Sequence, residues 1–487
     1  MVAATAYISP ITLDVPKQAK AFSWVSVPVQ NIFAGGLRLE ASVYATEAKQ
    51  AETAILSNKY GCISICELAG IYHCPRFKRV FVEKSEFPIY QPSQIGELNP
   101  SPAAYISDKT EVDLNVLRVL QGQVLMTCSG TVGNVTLVSK TLANRIFSHD
   151  LLRIGSHKPH HAGYLYAFFK SKQGRTLIQS ANYGAVIQHI EPAHLLSLPI
   201  PNAPELLKTH IHYTITESFN LRDESNELMA LARSTLQTAL ALPSVEQLNP
   251  PTNAKNSLYC FSVNVANLNQ RFEANYHNPL VQSITEHLHQ HAAQVLPLGD
   301  KRLTQDIILA GRYKRVYVEE KQGVPFLGGK EILELDPRGE KYLSLKQHGE
   351  RIANELILEE NTIVVTRSGT IGKVNIVPKH WQGWAGSEHL LRAVPINTEW
   401  AGYLYAWLSS EWALPLIRRF TYGAVVFEID QYHLAQVPVP LLADIRVMQH
   451  INNLVLRANE LRYQAFLKEQ EGLRMFNEDV LGKCNEP

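Results

Sequence analysis

"TCSGTVGNVTLV", residues 127–138, returns as "TRSGTIGKVNIV" at residues 366–377. Read alone, the second stretch looks like a phosphate-gripping loop, with two glycines followed by Lys373. A P-loop needs four residues between its glycines and then Lys with Ser or Thr, so that backbone N–H groups wrap the phosphates. Here only Thr370 and Ile371 lie between Gly369 and Gly372, and Val374 follows the lysine. The first stretch has the same glycine separation but carries Asn134 at the lysine position and Cys128 where the second has Arg367. A lysine-dependent phosphate grip would work in one stretch and fail in the other. The pattern instead predicts a tight turn between strands, with glycines supplying positive φ and variable side chains mounted on a shared frame.

The shift of 239 residues holds without a gap well beyond the turn. Residues 125–201 and 364–440 share 30 identities in 77 positions. "AGYLYAFF" meets "AGYLYAWL", and "YGAVIQHIEPAHLLSLPIP" meets "YGAVVFEIDQYHLAQVPVP". Upstream, "LAGIYHCPRFKRVFVEK" pairs with "LAGRYKRVYVEE" across an insertion, "ELNP" with "ELDP", and "RLEASVY" with "RFEANYH". The chain is a duplicated unit of about 240 residues, too long for a solenoid repeat.

Each copy has one internal order. Short apolar runs read as strands, "GYLYAFFKSKQGRTLIQS" reads as a helix, and a proline-punctuated strand closes the unit. A long helical pattern follows each copy. Ile451, Leu454, Ala458, Leu461 and Ala465 keep 3–4 spacing, with Lys468 and Gly472 read as interruptions of the seam. The expected fold class is α+β, with two homologous mixed α/β domains separated by two long antiparallel helices in a coiled coil. The expected boundaries are 1–204 for the first domain, 205–243 for its helix, 244–257 for a linker, 258–442 for the second domain and 443–487 for its helix.

Composition narrows the classes. The chain has 487 residues, 45% of them hydrophobic, and a formal net charge of +1. That supports buried cores and excludes a polycation, so a nucleic-acid footprint must be local. No charged start leads into an apolar run, and no run nears the ~20 residues of a membrane span, so a cytoplasmic protein with no membrane partner is expected. Six cysteines in this length do not suggest a disulfide framework.

Metal and catalytic motifs are weak. Cys62, Cys66 and Cys74 with His73 lack zinc-site spacing; Leu303 and Ile307 stand in for Cys62 and Cys66, which predicts packed cores. His157, His160 and His161 read as a solvated loop, and His287 and His291 as neighbours on a helix face. "NPPT" at 249–252 lacks the aromatic of an amino-methyltransferase motif and reads as linker. No catalytic constellation recurs in both copies.

Basic groups do recur. Arg76, Lys78 and Arg79 precede "VFVE"; Arg312, Lys314 and Arg315 precede "VYVE". Equivalent cations beside a strand in both copies suit phosphate positioning. Arg153 and Arg392 also recur, fit either for phosphate or for an internal carboxylate. Tyr183 and Tyr422, each before a glycine, are the aromatics best placed for surface contact.

In the order of these features the chain resembles the DNA-specificity subunits of type I restriction–modification systems. The resemblance rests on "RLEASVY"/"RFEANYH", "SGTVG"/"SGTIG", "GYLYAFF"/"GYLYAWL" and the "YGAV…LPIP"/"YGAV…VPVP" endings with their helices. It implies two target-recognition domains, each reading half of a split site in double-stranded DNA. It also implies that two methyltransferase (modification) subunits dock on the chain and bring S-adenosylmethionine, with restriction/translocase subunits as further partners. The chain itself would bind no cofactor or metal and catalyse nothing. Shared residues would then build the frame and hold phosphates; differing residues would read bases. The candidate DNA-contacting set is Arg76, Lys78, Arg79, Asn134 and Tyr183 in the first domain, and Arg312, Lys314, Arg315, Arg367, Lys373 and Tyr422 in the second. The competing classes are a fused methyltransferase or nuclease, and a tandem-repeat scaffold that binds proteins only.

Overall fold

The computed structural model describes residues 27–34, 46–181, 188–249, 260–268, 270–337 and 341–482. The flank "RLEASVY" and Tyr183 lie outside them. The fold is α+β, with two domains built on one plan and joined by two long antiparallel helices.

Each domain has an antiparallel four-stranded sheet against its central helix. In the first domain the strand order is Ala69–His73, Leu151–Ser156, Val124–Thr127, Val135–Leu137. In the second it is Thr304–Leu309, Leu390–Pro395, Ile363–Thr366, Val374–Ile376. A second small sheet beside each ends in a parallel pair, Pro88–Tyr90 with Ile146–Phe147, and Gly323–Leu327 with Ala385–Gly386. A two-stranded ribbon closes each unit through its Pro-X-Pro strand: Cys62–Ser64 on Pro199–Pro201, and Gln294–Pro297 on Pro438–Leu441.

These registers correct the upstream alignment. Tyr72 and Ile308 pair with the equivalent arginines Arg153 and Arg392. His73 therefore corresponds to Leu309, and "RFKR" follows "RYKR" with no insertion; the repeated "LAG" is a coincidence of composition. Cys62 and Val295 pair with the equivalent prolines Pro201 and Pro440, so Cys62 matches Val295 and Cys66 matches Gly299. Accordingly, of these three cysteines Cys66 is exposed, Cys62 is half-buried and Cys74 is deep in a core.

The expected central helix of the first domain is two helices, Ala162–Lys170 and Lys172–Ser180, broken at Ser171 in extended backbone. The Ser171 hydroxyl accepts from the Gly174 N–H at 3.1 Å and caps the second helix. A Cβ on Gly174 would sit 2.0 Å from the Phe168 carbonyl oxygen, so glycine permits the sharp joint. The glycine of "AGYLYA" has a similar role in both domains. A Cβ on Gly163 would lie 2.7 Å from His212 backbone, and one on Gly402 would lie 2.4 Å from the Asn452 carbonyl oxygen. Glycine is what lets each central helix approach a long helix so closely.

The long helices span Glu205–Ala239 and Ile445–Met475, about 52 and 46 Å at 1.5 Å per residue. They run antiparallel: Ser225 donates to the Ala458 carbonyl at 2.8 Å, while Thr214 meets Met475. Gly472 is not an interruption but a contact point, since a Cβ there would meet Ile215 Cδ1 at 2.6 Å. The helices are more than spacers. Ile211, Ile215 and Phe219 of the first pack in the first domain, while its far end, Met229 to Leu240, enters the core of the second. Reciprocally, Met475, Phe476, Val480 and Leu481 finish the first domain's core. The domains also touch. Leu98 N–H donates to the Leu333 carbonyl at 2.8 Å, and Leu335 N–H to the Gly96 carbonyl at 2.6 Å. Glu97 faces Glu334 in that antiparallel bridge. Because these are the repeat's own equivalents, "ELNP" and "ELDP", the bridge marks a pseudo-twofold axis. The two domains separated by the helix pair therefore also touch each other directly at this bridge. Among the described residues, no helix is long and apolar enough to cross a membrane.

Candidate nucleic-acid interface

The glycine turn is the frame expected from its sequence. Gly130, Gly133, Gly369 and Gly372 have φ of 71°, 90°, 69° and 84°. The Gly133 and Gly372 N–H groups each donate to the carbonyl of the preceding strand's threonine, Thr127 or Thr366, at 3.0 Å. The same threonines' hydroxyls accept from the N–H of Asn134 at 3.0 Å and of Lys373 at 2.9 Å. These four backbone donors are thus spent inside the turn, as in a tight connection between strands.

Beside this turn the basic groups fold onto carboxylates. In the first domain Arg79 approaches Asp150 at 3.5 Å, and Ser129 and His149 reach the same carboxylate at 3.3 Å each. Burial pushes the His149 imidazole below its usual range. In the second domain Arg315 pairs with Glu388 and stacks over Phe326 with its guanidinium 5.4 Å from the ring centre. Arg312 binds one oxygen of Glu428 at 2.9 Å while Arg367 holds the other. The acidic partners are the residues the sequence reading missed. Their signal was present, because an acid–histidine pair stands at equivalent positions in reversed order, His149–Asp150 and Glu388–His389.

Arg367 is buried. Its Nε donates to the Ile429 carbonyl at 2.9 Å and a terminal nitrogen reaches the Glu388 carbonyl at 3.5 Å. No face of the guanidinium remains for a base edge, so its reading as a base-contacting residue is replaced by a framing role. Arg153 and Arg392 are also buried, and neither forms an ion pair with a carboxylate among the described residues. Arg153 donates to the Leu117 carbonyl at 3.1 Å, and burial lowers the pKa of Arg392 to about 10.

What stays on the surface is the outer part of each basic group. Arg76, Lys78, Lys314 and Arg312 are exposed. Arg76, Lys78 and Lys314 form no ion pair among the described residues. Within these clusters, three cations face one carboxylate in the first domain and four face two in the second. Each domain therefore keeps the same excess positive charge at an equivalent rim. Asn134 and Lys373 sit elsewhere, lining the clefts between the domains. There Lys373 faces Glu97, whose carboxyl burial raises while Lys373 opposes that rise.

Tyr422 lies at the base of a loop on the same rim. Tyr422 and Glu428 exchange backbone hydrogen bonds of 3.0 and 2.8 Å, closing the loop on the glycine turn. Gly423 has φ of 107°, and a Cβ there would strike the Val426 carbonyl oxygen at 2.3 Å. At the tip Val425 is 93% exposed, Val426 55% and Phe427 54%. "YGAV" is identical in both copies, yet Val425 has no packing role in its own domain. Together Val425, Val426 and Phe427 form an exposed apolar tip.

No protein-family model matches the chain, and no curated protein matches it. Three solved structures are similar over most of its length. "Crystal structure of Type-I restriction-modification system S subunit from M. genitalium" shares 13% identity over 88% of this chain and 96% of that one, with a TM-score of 0.36. "Crystal structure of HsdS subunit from Thermoanaerobacter tengcongensis" shares 14% over 86% and 97%, with a TM-score of 0.26. A third, described as "Structural basis underlying complex assembly and conformational transition of the type I R-M system", shares 14% over 85% and 98%, with a TM-score of 0.26. Superpositions this loose carry no functional weight, which rests on the chain's own duplication and geometry.

Proposed function

We propose that the chain is the DNA-specificity subunit of a type I restriction–modification system in the cytoplasm. The observation that carries this reading is the pair of domains related by a pseudo-twofold axis at Glu97 and Glu334, each with an equivalent cationic rim. Two such rims suit the two strands of a duplex, whose phosphates repeat with twofold symmetry. The domains differ in side chains, so their half-sites differ and the whole site is split and asymmetric. Arg76, Lys78, Arg312 and Lys314 contact phosphate; Arg79, Arg315 and Arg367 hold the frame that presents them.

The two methyltransferase subunits supply the S-adenosylmethionine chemistry, one beside each domain. The repeated apolar loop, with Tyr422, Val425 and Phe427 in the second copy, suits a contact made twice with the same kind of partner. Restriction/translocase subunits join through that assembly, and this chain contributes recognition without catalysis. Mapping methylated positions in a host with and without this gene and its methyltransferase tests the reading. A split asymmetric motif that disappears with the gene supports it; methylation that is independent of the gene rejects it. A protein-only scaffold is separated by DNA binding measured against salt, because phosphate contacts give a steep negative slope.

A further inference from the structure

At the start of the first long helix, two adjacent histidines converge on one carboxylate oxygen of a glutamate more than 40 residues further along the chain. His160 Nε2 lies 2.9 Å and His161 Nε2 2.7 Å from the same Oε1 of Glu205. The imidazole planes are nearly perpendicular, at 81° with ring centres 5.0 Å apart, so the two nitrogens approach from different directions. All three donor atoms lie within 4.8 Å of one another. We propose that His160, His161 and Glu205 bind a divalent cation of the zinc class, tying the first domain to the helix that leaves it.

The donor set is two imidazole nitrogens and one carboxylate, a combination that zinc accepts with a fourth position open. Zinc holds such atoms at about 2.0–2.1 Å, which puts tetrahedral ligands about 3.3 Å from each other. The present contacts reach that spacing by small side-chain rotations. His161 is 2% exposed and fixed by packing, while the side chains of His160 and Glu205 are 39% and 48% exposed and free to adjust. Their exposure also gives the ion a path in and leaves the open position to water. Lys158 reaches the same carboxylate at 3.3 Å, but its side chain is 55% exposed and can swing out to solvent. His212, close by on the long helix, accepts the Gly163 N–H at 3.0 Å through Nδ1, so it is a neutral neighbour. Burial, with His160 and His161 adding to it, lowers its pKa to about 4.

The site belongs to one domain only. At the equivalent positions the second domain has Glu399, Trp400 and Asp444, with no imidazole. A cation binding the folded state alone would therefore stabilise the first domain's attachment to the helix pair and leave the second untouched.

The test uses the full chain, treated with chelator and titrated with Zn²⁺ alone, with Co²⁺ as the spectroscopic probe. The expected result is one saturable equivalent per chain, visible-region Co²⁺ absorption typical of low coordination, and a raised thermal midpoint. His160→Ala and Glu205→Gln lie at the surface and should keep the far-ultraviolet circular dichroism unchanged while abolishing that equivalent. His291→Ala, in the other histidine cluster, should keep it. Absence of saturable binding, or binding undiminished in His160→Ala and Glu205→Gln, overturns the proposal. A negative result leaves the DNA-recognition reading standing, because no cation enters that argument.

Discussion

Arg312 and Arg367 grip opposite oxygens of Glu428, yet one is exposed and the other enclosed. That difference separates their predicted phenotypes. Arg312→Ala should weaken DNA binding across all sequences and reduce the log–log salt slope by about 1, with stability nearly unchanged. Arg367→Ala leaves Glu428 short of a partner in a mostly buried setting, and should cost about 1–3 kcal/mol in denaturant unfolding. Sequence showed the basic groups in both copies but not which members were enclosed. Solvent exposure depends on the carboxylates that the strands bring alongside, and Glu388 and Glu428 are far from the arginines in the chain. Glycine positions were more legible, since positive φ is a local requirement. Gly402→Ala should destabilise by about 1–3 kcal/mol through its collision with Asn452, and Gly163→Ala similarly, as read from denaturant midpoints.

Among the elements, the long helices followed most directly from the sequence, because their apolar spacing recurs over many turns. Their buried polar pair was not foreseen. Arg222 and Glu469 meet in the seam, with the Tyr166 hydroxyl donating to the same carboxylate. Both charges are buried. Burial alone would raise the Glu469 carboxyl, but the Arg222 and Lys170 charges and the Tyr166 hydrogen bond together outweigh it and hold the pKa below the usual value. The stability from this pair is therefore complete above the ordinary carboxylate range and is lost as pH falls through the depressed native value. Glu469→Ala strands Arg222 and should cost about 3–5 kcal/mol at neutral pH; Arg222→Leu with Glu469→Leu should recover most of it, in a comparison of unfolding midpoints. The seam's far end behaves differently. Phe476 is fully buried in the first domain although it follows the second helix. Phe476→Ala should cost about 3–5 kcal/mol and loosen the first domain, seen as faster amide exchange in its sheet. Nothing local to Phe476 marks this destination, which depends on the whole chain folding back.

For the whole molecule, duplication and element order were legible, and the contact between domains was not. "ELNP" and "ELDP" look like minor matches in sequence. They become informative only when Leu98 and Leu335 are seen donating across the axis. This junction, together with cores completed by each other's helices, fixes the two rims in one relative orientation. Under the proposed function, two rims fixed in this way would set one preferred separation of half-sites. The most direct measurement of that claim is methylation mapping in cells carrying the chain with its methyltransferase, compared with cells lacking the chain. The account predicts one bipartite, asymmetric motif with a fixed gap, gained and lost with this gene. Methylation at a continuous motif, at gaps of varying length, or in the absence of the chain would contradict it.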